Sequence, residues 1–267
     1  MKLAFIGGGA MAEAIINSVL TASLAQPQEI SVSDIVESRC RYLTDRYRVF
    51  ATTQNAKVLK EADLLVLAIK PQNLSEVAEE LHGALDDRLT VLSIIAGARM
   101  STLTESLGHQ AVIRVMPNTP AQVGAGMSVW LCAPSVPPDA AAQAKAVLGT
   151  LGQEVRVDNE RYIDMATALS ASGPAYVFHF IESLIEAGVY LGLPREMSRT
   201  LTLQTVLGST RLAMESGKHP AELKDMVTSP GGTTAEALLA LEDGKFRSTV
   251  INAVAAAYRK SVSLGEK

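Results

Sequence analysis

The chain has 267 residues, 48% of them hydrophobic and 19% charged, with a net charge of -4. That length suits about two globular domains, and the slightly acidic balance leaves no basic footprint for nucleic acid. Cys40 and Cys132 are too few and too far apart for a disulfide framework, and His82, His109, His179 and His219 lack metal-ligand spacing.

The N-terminus is the most informative stretch. Leu3 to Ile6 is a short apolar run with the bulk of a buried strand. Gly7, Gly8 and Gly9 follow, then a helix-forming run from Ala10 through Met11 to Ile16. Strand, glycine turn and helix make the first half of a βαβ unit that binds a dinucleotide. Gly7 and Gly9 fill the first two places of G-x-G-x-x-G/A, and Ala12 fills the third. The first allows a tight turn, the second lets backbone approach a pyrophosphate, and the third packs helix on strand. The phosphates belong at the helix N-terminus, where N–H groups are free. Lys2, the apolar run and Ala10-Met11-Ala12 also mimic a short secretory signal. The apolar stretch is short and broken by glycines, however, and cleavage would remove a strand. No other segment approaches the ~20 apolar residues of a membrane span. The expectation is a cytoplasmic protein.

Strands and helices then alternate as a parallel sheet requires. Ile30 to Ser33 reads as the second strand, ending at Asp34, and a charged helix runs from Glu37 to Tyr47. Arg48 to Ala51 reads as a third strand, and Asn55 as the cap of a helix running to Ala62. Leu64 to Ile69 suits a central strand buried on both faces, stopped at Lys70-Pro71. Asn73 and Glu76 have the spacing of a capping box. Leu89 to Ile95, ending at Ala96-Gly97, and Ala111 to Met116, ending at Pro117-Asn118-Thr119-Pro120, are further strands. Met127 to Cys132, a helix start at residues 137–139, and Glu154 to Val157 complete this half.

After Arg161 no convincing strand remains, which sets a boundary between residues 1–161 and 162–267. Tyr162 to Leu193 reads as helix with a break at Ser172-Gly173-Pro174, and Pro194 starts another lasting to Ser216. Leu201, Val206, Leu207 and Leu212 give that helix a sticky face. A small helical domain with several apolar faces buries more by pairing with a copy of itself, so a homodimer is expected. Shorter helices follow from His219-Pro220 to Val227 and from Thr233, and the last runs from Phe246 to Leu264. Thr233 and Glu236 have capping-box spacing, which makes Thr233 the N-cap and Thr234 the first helical residue. Gly231 and Gly232 leave backbone bare just before it. With hydroxyls at Thr228, Ser229, Thr233 and Thr234, this loop has more than a cap needs and suits a small carboxylate.

The chain resembles the pyrroline-5-carboxylate reductase family along nearly its whole length. The resemblance rests on Ile6 to Ala12, Ala68-Ile69-Lys70-Pro71, Arg114 to Pro120, Ser172 to Tyr176 and, most specifically, the stretch from Pro220 through Ser229-Pro230-Gly231-Gly232-Thr233-Thr234 to Glu242. It implies an α/β fold: an N-terminal Rossmann-type, mostly parallel sheet with a C-terminal all-helical dimerisation domain. It also implies a homodimer, assembled in some members into rings of dimers, and NAD(P)H-dependent reduction of 1-pyrroline-5-carboxylate to L-proline. Ser229, Gly231, Gly232, Thr233 and Thr234 would then hold the substrate, with the Thr234 hydroxyl near the ring nitrogen. Gly7, Gly9, Ala10, Met11, Ser33, Asp34, Asn55, Ala68, Lys70, Pro71, Ala96 and Gly97 would line the cofactor. Lys70 could touch cofactor phosphate or the substrate carboxylate, and Met11 and Met116 could wall the nicotinamide or simply pack the core. A hydroxyacid dehydrogenase of related architecture would carry a catalytic lysine on its long helix, and Val177 to Gly192 contains none. A non-catalytic nucleotide sensor would not need an intact Ser229–Thr234 loop.

Sequence and resemblance pull apart over the cofactor. An acidic residue after the second strand, here Asp34, takes the ribose hydroxyls of NAD and repels a 2′-phosphate. Ser33, Arg39 and Asn55 could instead surround a phosphate, and the family prefers NADPH while often accepting NADH. The expectation is NADPH, with NADH accepted.

Overall fold

The computed structural model describes residues 1–265. Strands β1 (Leu3–Ile6), β2 (Ile30–Ser33), β3 (Phe50–Thr52), β4 (Leu64–Leu67), β5 (Thr90–Ser93), β6 (Val112–Met116), β7 (Gly126–Cys132) and β8 (Gly152–Arg156) form one 8-stranded sheet. Their order is β3-β2-β1-β4-β5-β6-β7-β8. Every neighbouring pair is parallel except β6 with β7. β1 lies between β2 and β4, with Leu3 opposite both Ile30 and Leu64. Strand order reverses beside β1, and in such sheets that is where a ligand crevice opens.

Successive side chains of a strand point to opposite faces, so a strand covered on both sides needs apolar residues throughout. Leu3, Phe5, Leu64 and Val66 pack with Ile15, Ile16 and Val19 of α1 (Ala10–Thr21), Leu43 of α2 (Glu37–Tyr47), and Ala144 and Leu148 beyond them. Ala4, Ile6, Leu65 and Leu67 join Leu74, Ala78 and Leu81 of α3 (Leu74–Leu81), and Leu103 and Leu107 of α4 (Met100–Leu107). Helix α5 (Pro138–Gly149), which carries Ala144 and Leu148, completes the first layer.

Several local expectations are corrected. Arg48 is left-handed (φ 61°) and closes α2 by donating its N–H to the Thr44 carbonyl, so β3 starts at Phe50. Asn55 caps no helix to Ala62. Residues Asn55–Lys57 form a single 3-10 turn, and the Asn55 amide donates instead to Glu80 Oε2 at 2.7 Å. Asn73 does stand at the N-cap of α3, but it has helical backbone angles and makes no side-chain cap bond. Helix α4 is an addition to the elements legible in the sequence. Its only signal is Leu103 and Leu107 one turn apart in a Ser/Thr-rich run.

Contacts divide the chain into a unit of Met1–Ser172 with the C-terminal segment from Ala257, and a unit of Gly173–Ala256. This differs from a boundary at residue 161, because α6 (Arg161–Ala166) buries Ile163 against Met116 and Val129. A π-type segment, Thr167–Ala171, separates α6 from α7 (Gly173–Tyr190). Arg114 on β6 draws the remaining pieces in. It is 1% exposed, donates to Glu160 Oε1 at 2.6 Å, and lies 3.5 Å from Asp164 Oδ1. Glu160 Oε1 also accepts the Met100 N–H at 2.6 Å, and Asp164 Oδ1 accepts the Ser261 hydroxyl at 3.1 Å. Ser261 belongs to the closing turns of α11 (Phe246–Leu264), whose end is held again where Arg99 Nε donates to the Gly265 carbonyl at 2.8 Å.

The second unit contains α8 (Arg195–Ser216), α9 (Pro220–Met226), α10 (Thr233–Asp243) and the start of α11 besides α7. A Cβ on Gly188 would overlap Ser198, so that glycine lets α7 and α8 touch. Among the described residues only Ser198 and Thr202 of this unit are buried, and neither is apolar. Phe178, Tyr190, Leu191, Leu201, Leu207 and Leu212 are all exposed. Among the described residues no helix is long and apolar enough to cross a membrane.

Replacing Arg114 by methionine leaves Glu160 and Asp164 facing each other without their buried cation. We expect the variant to lose about 3–5 kcal/mol of stability, the usual cost of breaking a buried ion pair from one side. Chemical denaturation of the two proteins measures it, and a loss below about 1 kcal/mol would show that the pair behaves as a solvated one.

Candidate functional site

The glycine turn sits where β1 runs into α1, and a count of its backbone groups shows what it offers. Gly7 has φ +93°, and its N–H donates to the Ser33 carbonyl at 2.8 Å. A Cβ there would lie 2.5 Å from the Ala68 carbonyl oxygen, so only glycine fits. The Gly8 N–H donates to Asp34 Oδ2 at 2.8 Å. Gly9 is the N-cap of α1 and has nothing within 4 Å of where a Cβ would stand. Glu13 is the first residue of α1 whose N–H reaches back into the helix, to the Gly9 carbonyl. The amides of Gly9, Ala10, Met11 and Ala12 make no hydrogen bond among the described residues. A row of unpaired amides beside open space, at the positive end of a helix, fits the pyrophosphate of a dinucleotide.

The residues after β2 are more committed than the sequence suggested. Ser33 is fully buried, with its hydroxyl 2.6 Å from Asn55 Oδ1 and 3.2 Å from the Phe5 carbonyl. It cannot face a phosphate in solvent, and its role is to orient Asn55. Asp34 spends one carboxylate oxygen on Gly8 and the other on the Val36 N–H, 2.9 Å away. Arg39 is not free either. Its guanidinium bonds the Gly8 carbonyl and pairs with Glu13.

The other strand ends contribute Ala68, half-buried beneath Gly7, and the exposed Lys70, Pro71 and Ala96. The Lys70 ammonium has no partner among the described residues. Gly97 has φ +77°, and a Cβ there would press on Leu264 Cβ at 3.2 Å, so its bare face is used by α11. Met116 packs with Val129 and Ile163, whereas Met11 stays half-buried beside the turn. Asn118 is structural: its Oδ1 accepts the Met127 N–H at 2.8 Å, and its amide lies 3.3 Å from both oxygens of Ser170.

In the second unit the loop before α10 shifts by one residue from expectation. The N-cap is Gly232, not Thr233, and no side chain caps the helix. Thr233 and Thr234 are therefore the first two helical residues, and Glu236 stands too far along for a capping box. The Gly232 carbonyl accepts the N–H groups of Ala235 and Glu236, which leaves those of Thr233 and Thr234 unpaired among the described residues. Gly231 is left-handed (φ +67°), and a Cβ on Gly232 would overlap Ser229 Oγ. The Thr228 hydroxyl donates to the Lys224 carbonyl at 2.7 Å, so it closes α9 and is not available.

Residues 160–264 match the family of pyrroline-5-carboxylate reductase dimerisation domains, and residues 2–97 match that described as NADP oxidoreductase, coenzyme F420-dependent. A pyrroline-5-carboxylate reductase from Synechocystis is 44% identical over 100% of this chain and 99% of its own. The chain belongs to the pyrroline-5-carboxylate reductase family. Its fold agrees with that of the Coxiella burnetii reductase at a TM-score of 0.91, with 34% identity over 100% of this chain and 99% of the other. The Plasmodium falciparum enzyme, solved with NADP bound, superposes at a TM-score of 0.90, with 33% identity over 99% and 98% of the two chains. Membership carries the family's activity, NAD(P)H-dependent reduction of a C=N bond in proline biosynthesis.

The two outer glycines of the turn have different duties, which substitution separates. Gly7→Ala forces a Cβ into the Ala68 carbonyl at positive φ and should lower the melting temperature. Gly9→Val has room within the protein and normal φ, so it should melt like the parent. Its side chain instead fills the space left for the pyrophosphate, and NADPH affinity should fall at least roughly 10-fold, the worth of about 1.4 kcal/mol. Thermal melts and a fluorescence titration distinguish the two, and near-parental affinity in folded Gly9→Val would place the pyrophosphate elsewhere.

Proposed function

We propose that this chain reduces 1-pyrroline-5-carboxylate by positioning alone, with no conventional acid–base pair. Bound NADPH, or NADH in its place, supplies hydride from C4 of its nicotinamide. The hydride would add to the imine carbon, across the ring nitrogen from the carbon that bears the carboxylate, while the nitrogen holds a proton taken from solvent, so C=N becomes C–N and the product is L-proline. A protonated imine is already electrophilic, and alignment and desolvation supply the remaining acceleration.

The unpaired amides from Gly9 to Ala12 hold the pyrophosphate, and Ala68, Lys70, Pro71, Ala96 and Gly97 flank the cofactor along the strand ends. The exposed Lys70 ammonium pairs with an anionic group of cofactor or substrate. The Thr233 and Thr234 amides, with Ser229, Gly231 and Gly232, receive the substrate carboxylate. The Thr234 hydroxyl, free of any capping duty, orients the ring nitrogen. The observation that carries this reading is the pair of unpaired amides at the start of α10, next to glycines that leave them open. The family's dimerisation segment and the exposed apolar face of the second unit support a homodimer.

The corrected cap changes what the two threonines should do. Neither hydroxyl caps α10, so both Thr233→Ala and Thr234→Ala should stay within about 0.5 kcal/mol of parental stability, well under the cost of losing a cap. Thr233→Ala keeps the backbone N–H that receives the carboxylate and should leave KM for the imine near the parental value. Thr234→Ala should lower kcat by ~10-fold to ~1000-fold through the lost hydrogen bond. Steady-state kinetics with melts would decide, and normal turnover in both variants would remove the substrate from this loop.

The second unit has no buried apolar residue of its own, so its stability should depend on a second copy. Apparent Tm should rise with protein concentration, by mass action on the folded dimer. A concentration-independent Tm together with a monomer in sedimentation would defeat the dimer.

A further inference from the structure

The side of the glycine turn turned away from the candidate phosphate site is tied down by one side chain. Arg39, in the first turn of α2, donates from Nε to the Gly8 carbonyl and reaches the Gly9 carbonyl from Nη2 at 3.4 Å. The same Nη2 pairs with the Glu13 carboxylate on α1. The guanidinium is stacked 4.9 Å from the centre of the Tyr42 ring. Glu13 is fixed in turn, because its Oε1 accepts the hydroxyls of Tyr42 at 2.8 Å and Tyr47 at 2.9 Å. Burial pushes the Glu13 carboxyl up, but hydrogen bonds from Arg39, Tyr42 and Tyr47 outweigh it and hold the group below its ordinary range. Glu13 therefore stays charged wherever the enzyme works near neutrality.

The consequence follows from peptide geometry. In a trans peptide the C=O and the next N–H point in opposite directions, and no cis bond occurs among the described residues. The Gly8 carbonyl shares its plane with the Gly9 N–H, and the Gly9 carbonyl shares its plane with the Ala10 N–H. Holding the Gly8 carbonyl on Arg39 aims the Gly9 N–H the other way, away from α2 and into the open space beside Gly9, and the Gly9 carbonyl, shared between the Glu13 N–H and Arg39, turns the Ala10 N–H with it. Asp34, on the Gly8 N–H, fixes the preceding plane. Glycines have the widest backbone freedom, so without such ties the planes on either side of Gly8 would rotate and the Gly9 amide would have to be ordered on binding.

We propose that Arg39, held by Glu13, is a positioning residue for the dinucleotide pyrophosphate, acting through the Gly8 and Gly9 peptide planes and touching no part of the ligand. The proposal rests on the dinucleotide reading of the turn. It differs from a direct role, in which Arg39 would contact the 2′-phosphate that separates NADPH from NADH.

Titration calorimetry with NADPH, NADH and ADP separates these possibilities, since all three carry the diphosphate and only NADPH carries the 2′-phosphate. Arg39→Met should weaken all three by the same factor, roughly 10-fold, the worth of one charge-assisted contact. Arg39→Lys should not restore binding, because a point charge cannot span two carbonyls and a carboxylate. Glu13→Gln should weaken the three ligands equally but less, and it carries the test if the Arg39 variants do not fold. KM for the imine should not follow the change. A loss larger for NADPH than for NADH would overturn the proposal in favour of direct phosphate contact. Parental affinities with a lowered Tm would overturn it too, leaving Arg39 as a tie between helices. Failure of the unsubstituted protein to bind any of the three would instead sink the dinucleotide reading beneath it.

Discussion

The backbone of Gly7 passes so close to the carbonyl of Ala68 that no side chain can stand between them. That approach joins the ends of three strands, since the Gly7 N–H reaches the Ser33 carbonyl at 2.8 Å and the Ala68 N–H reaches the Ile6 carbonyl at 2.9 Å. From there α1 must start at once, pointing its free amides over the crevice where strand order reverses. The direction of the free amides, the placement of Lys70 just beyond Ala68, and the packing of α1 on the sheet all depend on this contact.

Around the turn, charged side chains do work that is invisible from the motif itself. Asp34 and Arg39 each hold a part of the Gly8 backbone, one by its N–H and the other by its carbonyl. Pre-ordered amides cost less to bind than mobile ones, so the protein meets that entropy on folding. Both carboxylate oxygens of Asp34 are thus engaged by backbone amides within the protein.

At the far end of the first unit a second buried charge performs a different task. Arg114 lies in the sheet with a guanidinium nitrogen, Nε, that finds no partner among the described residues. Burying it costs desolvation that a well-packed apolar residue would avoid. What it does provide is directional: Glu160, Asp164 and, through them, Met100 and Ser261 are drawn to one point. The last turns of α11 thereby close on the sheet, while the helices between Gly173 and Ala256 keep their apolar faces open. The unit buries no apolar residue among its described residues, and it lies within the segment that matches the family's dimerisation domain.

Much of this was readable from residue order. The βαβ start, β2, α2 and the buried central strands follow from local patterns, because apolar runs, glycines and prolines act within a few residues of themselves. The Ser229–Thr234 loop stood out for the same reason, as an excess of hydroxyls around two glycines. What the sequence could not decide were choices between nearby alternatives of similar local energy. Whether Thr233 or Gly232 caps α10 is a matter of one residue, and Asn55 was lost as a cap to Ser33 and Glu80, partners 22 and 25 residues away. Ser33 and Arg39 read as phosphate contacts and Arg114 only as the start of a motif, because polar residues at strand ends ordinarily face solvent or ligand. Only the tertiary structure brings Arg39 to Gly8 across 31 residues and Arg114 to Glu160 across 46, and long-range partners of that kind leave no periodic trace in the chain.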